Sequence, residues 1–179
     1  DAGAHVGYFT LAAARLVGTT GRVHSFEPEP VNHALLLRNI ELNEYQNVTP
    51  VRQALSNQAG NATLFLTALD SGRHSTYQHD LPMSGTLIIE TTTLDEYLEN
   101  QGWPKIDLVK IDVEGAEIDV LDGMAELLNK SEEIKLIVEF NPILLASAGV
   151  DPFHFLDKPA SLGFKAYCID ENKGEIPLQ

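Results

Sequence analysis

The chain has 179 residues, 44% of them apolar, which suits one domain with a sizeable core. Asp and Glu outnumber Lys and Arg by 26 to 12, and a formal charge of −14 argues against a nucleic-acid surface, which needs concentrated basic residues. Cys168 is the single cysteine, so there is no internal disulfide framework and no cysteine-rich zinc site, and no apolar run reaches the roughly 18–20 residues that span a bilayer. These features point to a cytoplasmic protein and leave the oligomeric state open.

In chain order, the opening Asp1-Ala-Gly-Ala-His-Val-Gly7 reads as a turn that leaves a buried strand and opens a helix. Phe9, Ala12, Ala13, Leu16 and Val17 follow at helical spacing, and residues 18–21 end that helix. Residues 22–26 form a strand. Pro28 and Pro30 bracket a turn, and Val31, Leu35, Leu36 and Ile40 make one apolar face of a helix that stops at Asn43. Residues 48–52 are a third, short strand, and 62–66 and 86–91 are β segments on either side of a polar loop, 70–80. Thr93 and Glu96 form a capping box for a short helix holding Leu94, Tyr97 and Leu98. Residues 106–111 are a strand, followed by one helix carrying Ile118, Leu121, Met124, Leu127 and Leu128. Residues 134–140 read as a continuous buried strand, 152–162 as helix and 164–169 as a closing strand.

This alternation predicts an α/β fold: a Rossmann-like, mostly parallel sheet with helices on both faces and a small β insertion. The opening turn needs a strand before it, and none stands before Asp1. The expectation is a single domain over residues 1–179, truncated at its N-terminus. The C-terminal end, at Gln179 soon after a strand, is open to the same reading.

Asp1, Gly3 and Gly7 give D-x-G-x-x-x-G, and Glu27 ends the next strand. A glycine turn lets a ligand approach the main chain, and a carboxylate at the next strand end can accept two hydrogen bonds from a ribose diol. A dinucleotide site wants G-x-G-x-x-G. Here the second glycine comes four residues after the first, and Asp1 can face a cationic or amine-bearing ligand. That spacing favours S-adenosylmethionine over NAD.

Five blocks then carry a specific resemblance: D-A-G-A-H-V-G-Y-F-T at 1–10, S-F-E-P at 25–28, Q-A-L-S-N at 53–57, T-T-L-D-E-Y at 92–97 and L-V-K-I-D-V-E-G-A-E at 108–117. In order and spacing they resemble the FkbM family of S-adenosylmethionine-dependent methyltransferases across nearly the whole chain. The resemblance implies a class I methyltransferase that methylates hydroxyl oxygens on small molecules or sugars, with S-adenosyl-L-methionine as cofactor. It implies that Asp1, Gly3, His5, Gly7 and Thr10 hold the methionine end, Glu27 and Pro28 the ribose, and Ala54 and Leu55 the adenine edge. Asn is common in the family where this chain has His5.

Asp112 ends the buried run of Ile106, Leu108, Val109 and Ile111, so it points into the crevice at the carboxyl ends of parallel strands. Strand alternation puts Lys110 on the same face. Glu114 reads either as part of the site or as a charge placed at a helix start, where the macrodipole favours it. Glu139 and Asn141 end the neighbouring strand. Asp112, Glu139 and Asn141 could offer oxygens to a divalent cation, but no histidine cluster supports one and none is expected. His74 lies in the polar loop with Ser75, Thr76, Tyr77 and His79, where acceptor recognition is expected, and His154 reads as part of a packed helix start. Asp112 and Glu139 are the first candidates for a general base and His74 the third, and Asp112 is equally a candidate for orienting the acceptor or contacting the cofactor. Two other readings compete: a non-catalytic methyltransferase-like binding module, and a nicotinamide-dependent oxidoreductase.

Overall fold

The computed structural model describes residues 1–68, 70–131, 133–170, 172 and 174–177. The first half runs α1 (Tyr8–Val17), β1 (Val23–Phe26), α2 (Pro30–Leu42), β2 (Val48–Val51), β3 (Ala54–Leu55) and β4 (Gly60–Thr67). A 3-10 turn (Ser71–Arg73), β5 (Met83–Thr92) and α3 (Leu94–Asn100) come next. The second half holds β6 (Leu108–Ile111), α4 (Glu117–Asp122), α5 (Ala125–Lys130), β7 (Lys135–Val138), α6 (Pro142–Ser147), α7 (Pro152–Phe155), α8 (Asp157–Ser161), β8 (Tyr167–Asp170) and β9 (Gly174–Pro177).

The architecture is mixed α/β with several sheets. Strands β1 and β2 pair in parallel, as do β6 and β7. Ala2 stands between the two pairs, bridging in parallel to Phe26 on one side and Ile111 on the other. Asp112 N donates to Ala2 O at 3.3 Å and Phe26 N to Asp1 O at 2.9 Å. A second sheet has the order β3-β5-β4, with β4 antiparallel to β5 and β3 parallel to it. Strands β8 and β9 form an antiparallel hairpin.

The main core gathers Ala2, Phe26, Val109, Ile111, Leu121 and Met124 around the opening residues. Burying a Phe, Val, Ile, Leu or Met side chain here contributes roughly 1.5–3 kcal/mol, which anchors the strand ends that carry the site.

Four expectations change in the structure. The buried side of α2 is Asn32, Leu36 and Ile40, while Val31 and Leu35 are exposed. Asn32 turns inward because its N–H donates to Glu29 Oε2 at 2.6 Å and its Nδ2 to Ser71 O at 3.3 Å. The helix after β6 is two helices. Asp95 N donates to Gly123 O at 3.0 Å, and the Asp95 carboxylate then accepts Glu126 N at 2.7 Å and Leu127 N at 2.9 Å, capping α5 as a new start. Residues 134–140 are not continuously buried: β7 pairs only with β6 among the described residues, and Ile137 and Phe140 are exposed. His154 is not packed; its side chain is exposed and lies 3.2 Å from Asp151.

Candidate active site

Three backbone turns at the carboxyl ends of β1, β6 and the opening segment border one cavity of about 240 Å³. Gly3 (φ +74) makes the first turn possible: a Cβ there would stand 1.8 Å from Asp112 O, so this side and the β6 end touch backbone to backbone. His5, also left-handed at φ +51, donates its N–H to Glu27 Oε2 at 2.8 Å, and its ring Nε2 lies 2.8 Å from Ser71 Oγ. Glu29 N donates to Glu27 Oε1 at 3.0 Å. The Glu27 carboxylate is therefore buried and fixed by two backbone donors. Burial pushes its pKa up, and those donors pull it back.

Gly3, His5, Glu27, Pro28, Ala54, Leu55, His74 and Asp112 all line this cavity. Asp1, Gly7, Thr10 and Glu139 do not line it. Thr10 is fully buried and donates from Oγ1 to Asp1 Oδ2 at 2.6 Å. Gly7 caps α1 against Leu36. These residues stand outside the cavity lining.

Lys110 joins the two groups. Its Nζ lies 3.2 Å from Asp1 Oδ1 and 3.3 Å from Asp112 Oδ2, and donates to Gly3 O at 3.0 Å. Burial lowers its pKa, while Asp112 counters that shift. Alternation along β6 signalled the shared face; the link to Asp1 needed the fold.

Asp112, Glu114 and Glu139 bring carboxylate oxygens within 4.8 Å of one another. Burial and mutual repulsion push both Glu114 and Glu139 up to about 7. Of the two readings of Glu114, a place in the site or a charge near a helix start, it lines the cavity and stands ahead of helix α4. Helix α4 begins at Glu117, and Glu114 occupies a left-handed turn at φ +55. A helix N-terminus would hold its pKa down, not up. The buried Glu117 braces that turn, accepting Val113 N and Gly115 N at 3.1 Å each through Oε1. Asn141 caps α6, its Oδ1 accepting Ile143 N and Leu144 N. Clustered acidic groups of this kind are common without an ion.

His74 accepts Thr67 N at 3.1 Å through Nδ1. Burial lowers its pKa, so the ring is neutral at pH 7 and carries its proton on Nε2. His74 lines the cavity. Ser75 and His79, which the sequence placed in the loop expected to recognise the acceptor, are instead buried against the Glu114 turn.

The chain matches the methyltransferase FkbM domain over residues 1–165. It belongs to that family. The FkbM domain here is 31% identical over 152 residues to "Hexuronic acid methyltransferase AglP" of Haloferax volcanii, covering 85% of this chain and 56% of that protein. It is 30% identical over 155 residues to "Methyltransferase sdnD" of Sordaria araneosa, covering 70% of this chain and 60% of that protein. Over a shorter stretch of 50 residues it is 42% identical to "2-O-methyltransferase NoeI" of Sinorhizobium fredii, 28% of this chain and 21% of that one. The chain thus spans rather more than half the length of the first two relatives. Its fold resembles the crystal structure of Methyltransferase FkbM from Methylobacillus flagellatus KT, with a TM-score of 0.55 at 19% identity, over 90% of this chain and 35% of that one. No described helix is long and apolar enough to cross a membrane.

Proposed function

We propose that this FkbM domain carries out S-adenosylmethionine-dependent methyl transfer to a hydroxyl oxygen of a sugar or another small acceptor. The carrying observation is Glu27, a buried carboxylate held by two backbone N–H groups on the wall of the cavity. Each of its oxygens keeps a further lone pair, the donor-free geometry a ribose diol requires. Ala54 and Leu55 offer an apolar edge for adenine on the same cavity. Two relatives are named for a hexuronic acid and for a 2-O position, which supports a sugar hydroxyl as acceptor.

When bound, S-adenosylmethionine supplies an electrophilic methyl group on a sulfonium. The protein supplies alignment. Gly3, His5, Glu27, Pro28, Ala54 and Leu55 are assigned to hold the cofactor. Asp1, Gly7 and Thr10 act by fixing that turn. Asp112, ion-paired to Lys110, orients the acceptor beside the methyl group, with the Glu139 carboxylate close to it. His74 donates a hydrogen bond from Nε2. The same reading takes β1, β2, β6, β7 and Ala2 as one Rossmann-like parallel sheet, and the protein as cytoplasmic.

Calorimetric titration of the full chain with S-adenosylmethionine, S-adenosylhomocysteine and NAD tests the reading, repeated on Glu27→Ala. Micromolar binding of the two sulfur ligands, weakened about 100-fold in the variant and absent for NAD, is expected from losing a buried charge-assisted acceptor. NAD binding would favour an oxidoreductase. Binding without methyl transfer to any acceptor would favour a non-catalytic module.

A further inference from the structure

Four described non-glycine residues have left-handed backbones: His5, Glu44, Trp103 and Glu114. Two of them, His5 and Glu114, line the cavity. The Glu114 turn is held from outside itself. Its carbonyl accepts hydrogen bonds from the Ser75 hydroxyl and from His79 Nε2, each at 2.7 Å. Both donors are buried although their loop is polar. Ser75 is pinned to β4, since Phe65 N donates to its carbonyl at 2.7 Å and its own N–H to Phe65 O at 3.2 Å. His79 is braced from α6, with Nδ1 2.5 Å from Ser147 Oγ. Glu117 ties down the N–H groups on either side of Glu114. A non-glycine residue kept at positive φ by a loop and two helices marks a position where conformation serves function. The carbonyl is committed to Ser75 and His79, and the residue lines the cavity.

We propose that Glu114 is the catalytic base, its carboxylate taking the proton of the acceptor hydroxyl, and that Ser75 and His79 are positioning residues for it; the role rests on the methyl-transfer reading above. As the acceptor oxygen forms its bond to the methyl carbon, the carbon–sulfur bond breaks and its electron pair returns to sulfur. The hydroxyl proton passes to Glu114, which later releases it to water. The other candidates serve less well. Asp112 is ion-paired to Lys110, Glu139 does not line the cavity, and His74 Nδ1 is occupied by Thr67 N. The charged groups facing the Glu114 carboxyl are Asp112 on its own turn, Arg73 and Asp70 at the 3-10 turn, Glu117 of α4 and Glu139 after β7. Burial leads, Asp112 adds to it, and the carboxyl titrates where a base for neutral pH should.

The test is Glu114→Gln in the full chain, with S-adenosylmethionine and a panel of methyl hexosides and hexuronides. Wild-type turnover is expected to rise with pH through about 7. In the variant kcat falls about 10²-fold, that limb disappears, and S-adenosylhomocysteine affinity stays within about three-fold. Infrared difference titration, which needs no acceptor, is expected to show two carboxyls titrating at about 7, one of them absent from the variant. Ser75→Ala is expected to lower kcat about ten-fold at unchanged KM and to cost nothing further in the Glu114→Gln background. A merely structural serine would instead multiply with that variant. Turnover within three-fold of wild type, a retained limb or an unchanged titration overturns the assignment. If Glu114→Gln does not fold, Glu114→Asp decides: reduced kcat with a displaced limb supports the base, and wild-type kcat with an unmoved limb overturns it. A wild-type chain that binds S-adenosylhomocysteine but methylates nothing in the panel defeats the methyl-transfer reading. The infrared titration still reads Glu114 in that case, and an unshifted carboxyl there overturns the base as well.

Discussion

Lys110 Nζ lies 3.2 Å from Asp1 Oδ1, joining the end of β6 to the opening turn through side chains only 13% and 5% exposed. The same ammonium reaches Asp112 at 3.3 Å and the Gly3 carbonyl at 3.0 Å. Removing it leaves two carboxylates facing each other without a counter-ion. Lys110→Met is therefore expected to lose about 3 kcal/mol of stability, the scale on which breaking a buried pair costs. Urea unfolding at pH 7 measures it. A loss below about 0.5 kcal/mol would mean that the pair is solvated and holds nothing together.

Gly3 gives a sharper steric case. A methyl group there would stand 1.8 Å from Asp112 O and 3.4 Å from Val113 Cγ1, at a φ of +74. Neither neighbour is the free end of a flexible side chain, because the nearest is backbone. Gly3→Ala is expected to cost at least about 3 kcal/mol, above ordinary overpacking because the backbone is strained as well. Thermal melting should show a clear fall, and S-adenosylhomocysteine binding should weaken with it. An unshifted melting temperature would mean that the two turns can part without consequence.

Glu27 and Asp112 were legible in the sequence because each is a carboxylate that directly follows a short strand, and both line the cavity. The glycine at position 3 was legible too, since a turn after a strand needs one. The features that escaped the sequence depend on contacts between distant segments. Strand β3 is two residues long and exists because Ala54 and Leu55 pair with Thr91 and Thr92. The break between α4 and α5 comes from Asp95, whose carboxylate competes for the N–H groups of residues 126 and 127. The Glu114 turn is set by Ser75 and His79, 39 and 35 residues away along the chain. Apolar periodicity carries no trace of these bonds.

Asp112 separates chemistry from binding. Its carboxylate is held by Lys110 at the cavity edge, and its backbone carries the Gly3 contact. Asp112→Asn keeps that backbone and removes the charge. It is expected to cut turnover about 10²-fold, the scale of a misplaced reacting group, while S-adenosylhomocysteine affinity changes less than about three-fold. Addition of EDTA to the wild type is expected to leave turnover unchanged. Full turnover in the variant would remove Asp112 from the acceptor site. Loss of activity with EDTA, restored by magnesium, would assign the three carboxylates to a cation instead.

Glu114 and Glu139, both raised to about 7 from an ordinary 4.5, each add a pH dependence to stability. An acid raised in this way binds more protons in the folded than in the unfolded chain between those values, so its contribution is full below 4.5 and is lost as pH rises through 7. Both groups are partly exposed, and solvent screening reduces the effect. The two together should destabilise the fold by about 1–2 kcal/mol between pH 5 and pH 8, well short of the unscreened linkage value. Glu139→Gln removes one titration without touching the cavity wall. The variant is expected to flatten the dependence and to be more stable than wild type at pH 8 by about 1 kcal/mol. Urea midpoints across that range decide the matter. A stability that rises with pH would show that repulsion among Asp112, Glu114 and Glu139 is relieved by some other counter-charge, and Lys110 would be the first residue to substitute alongside Glu139.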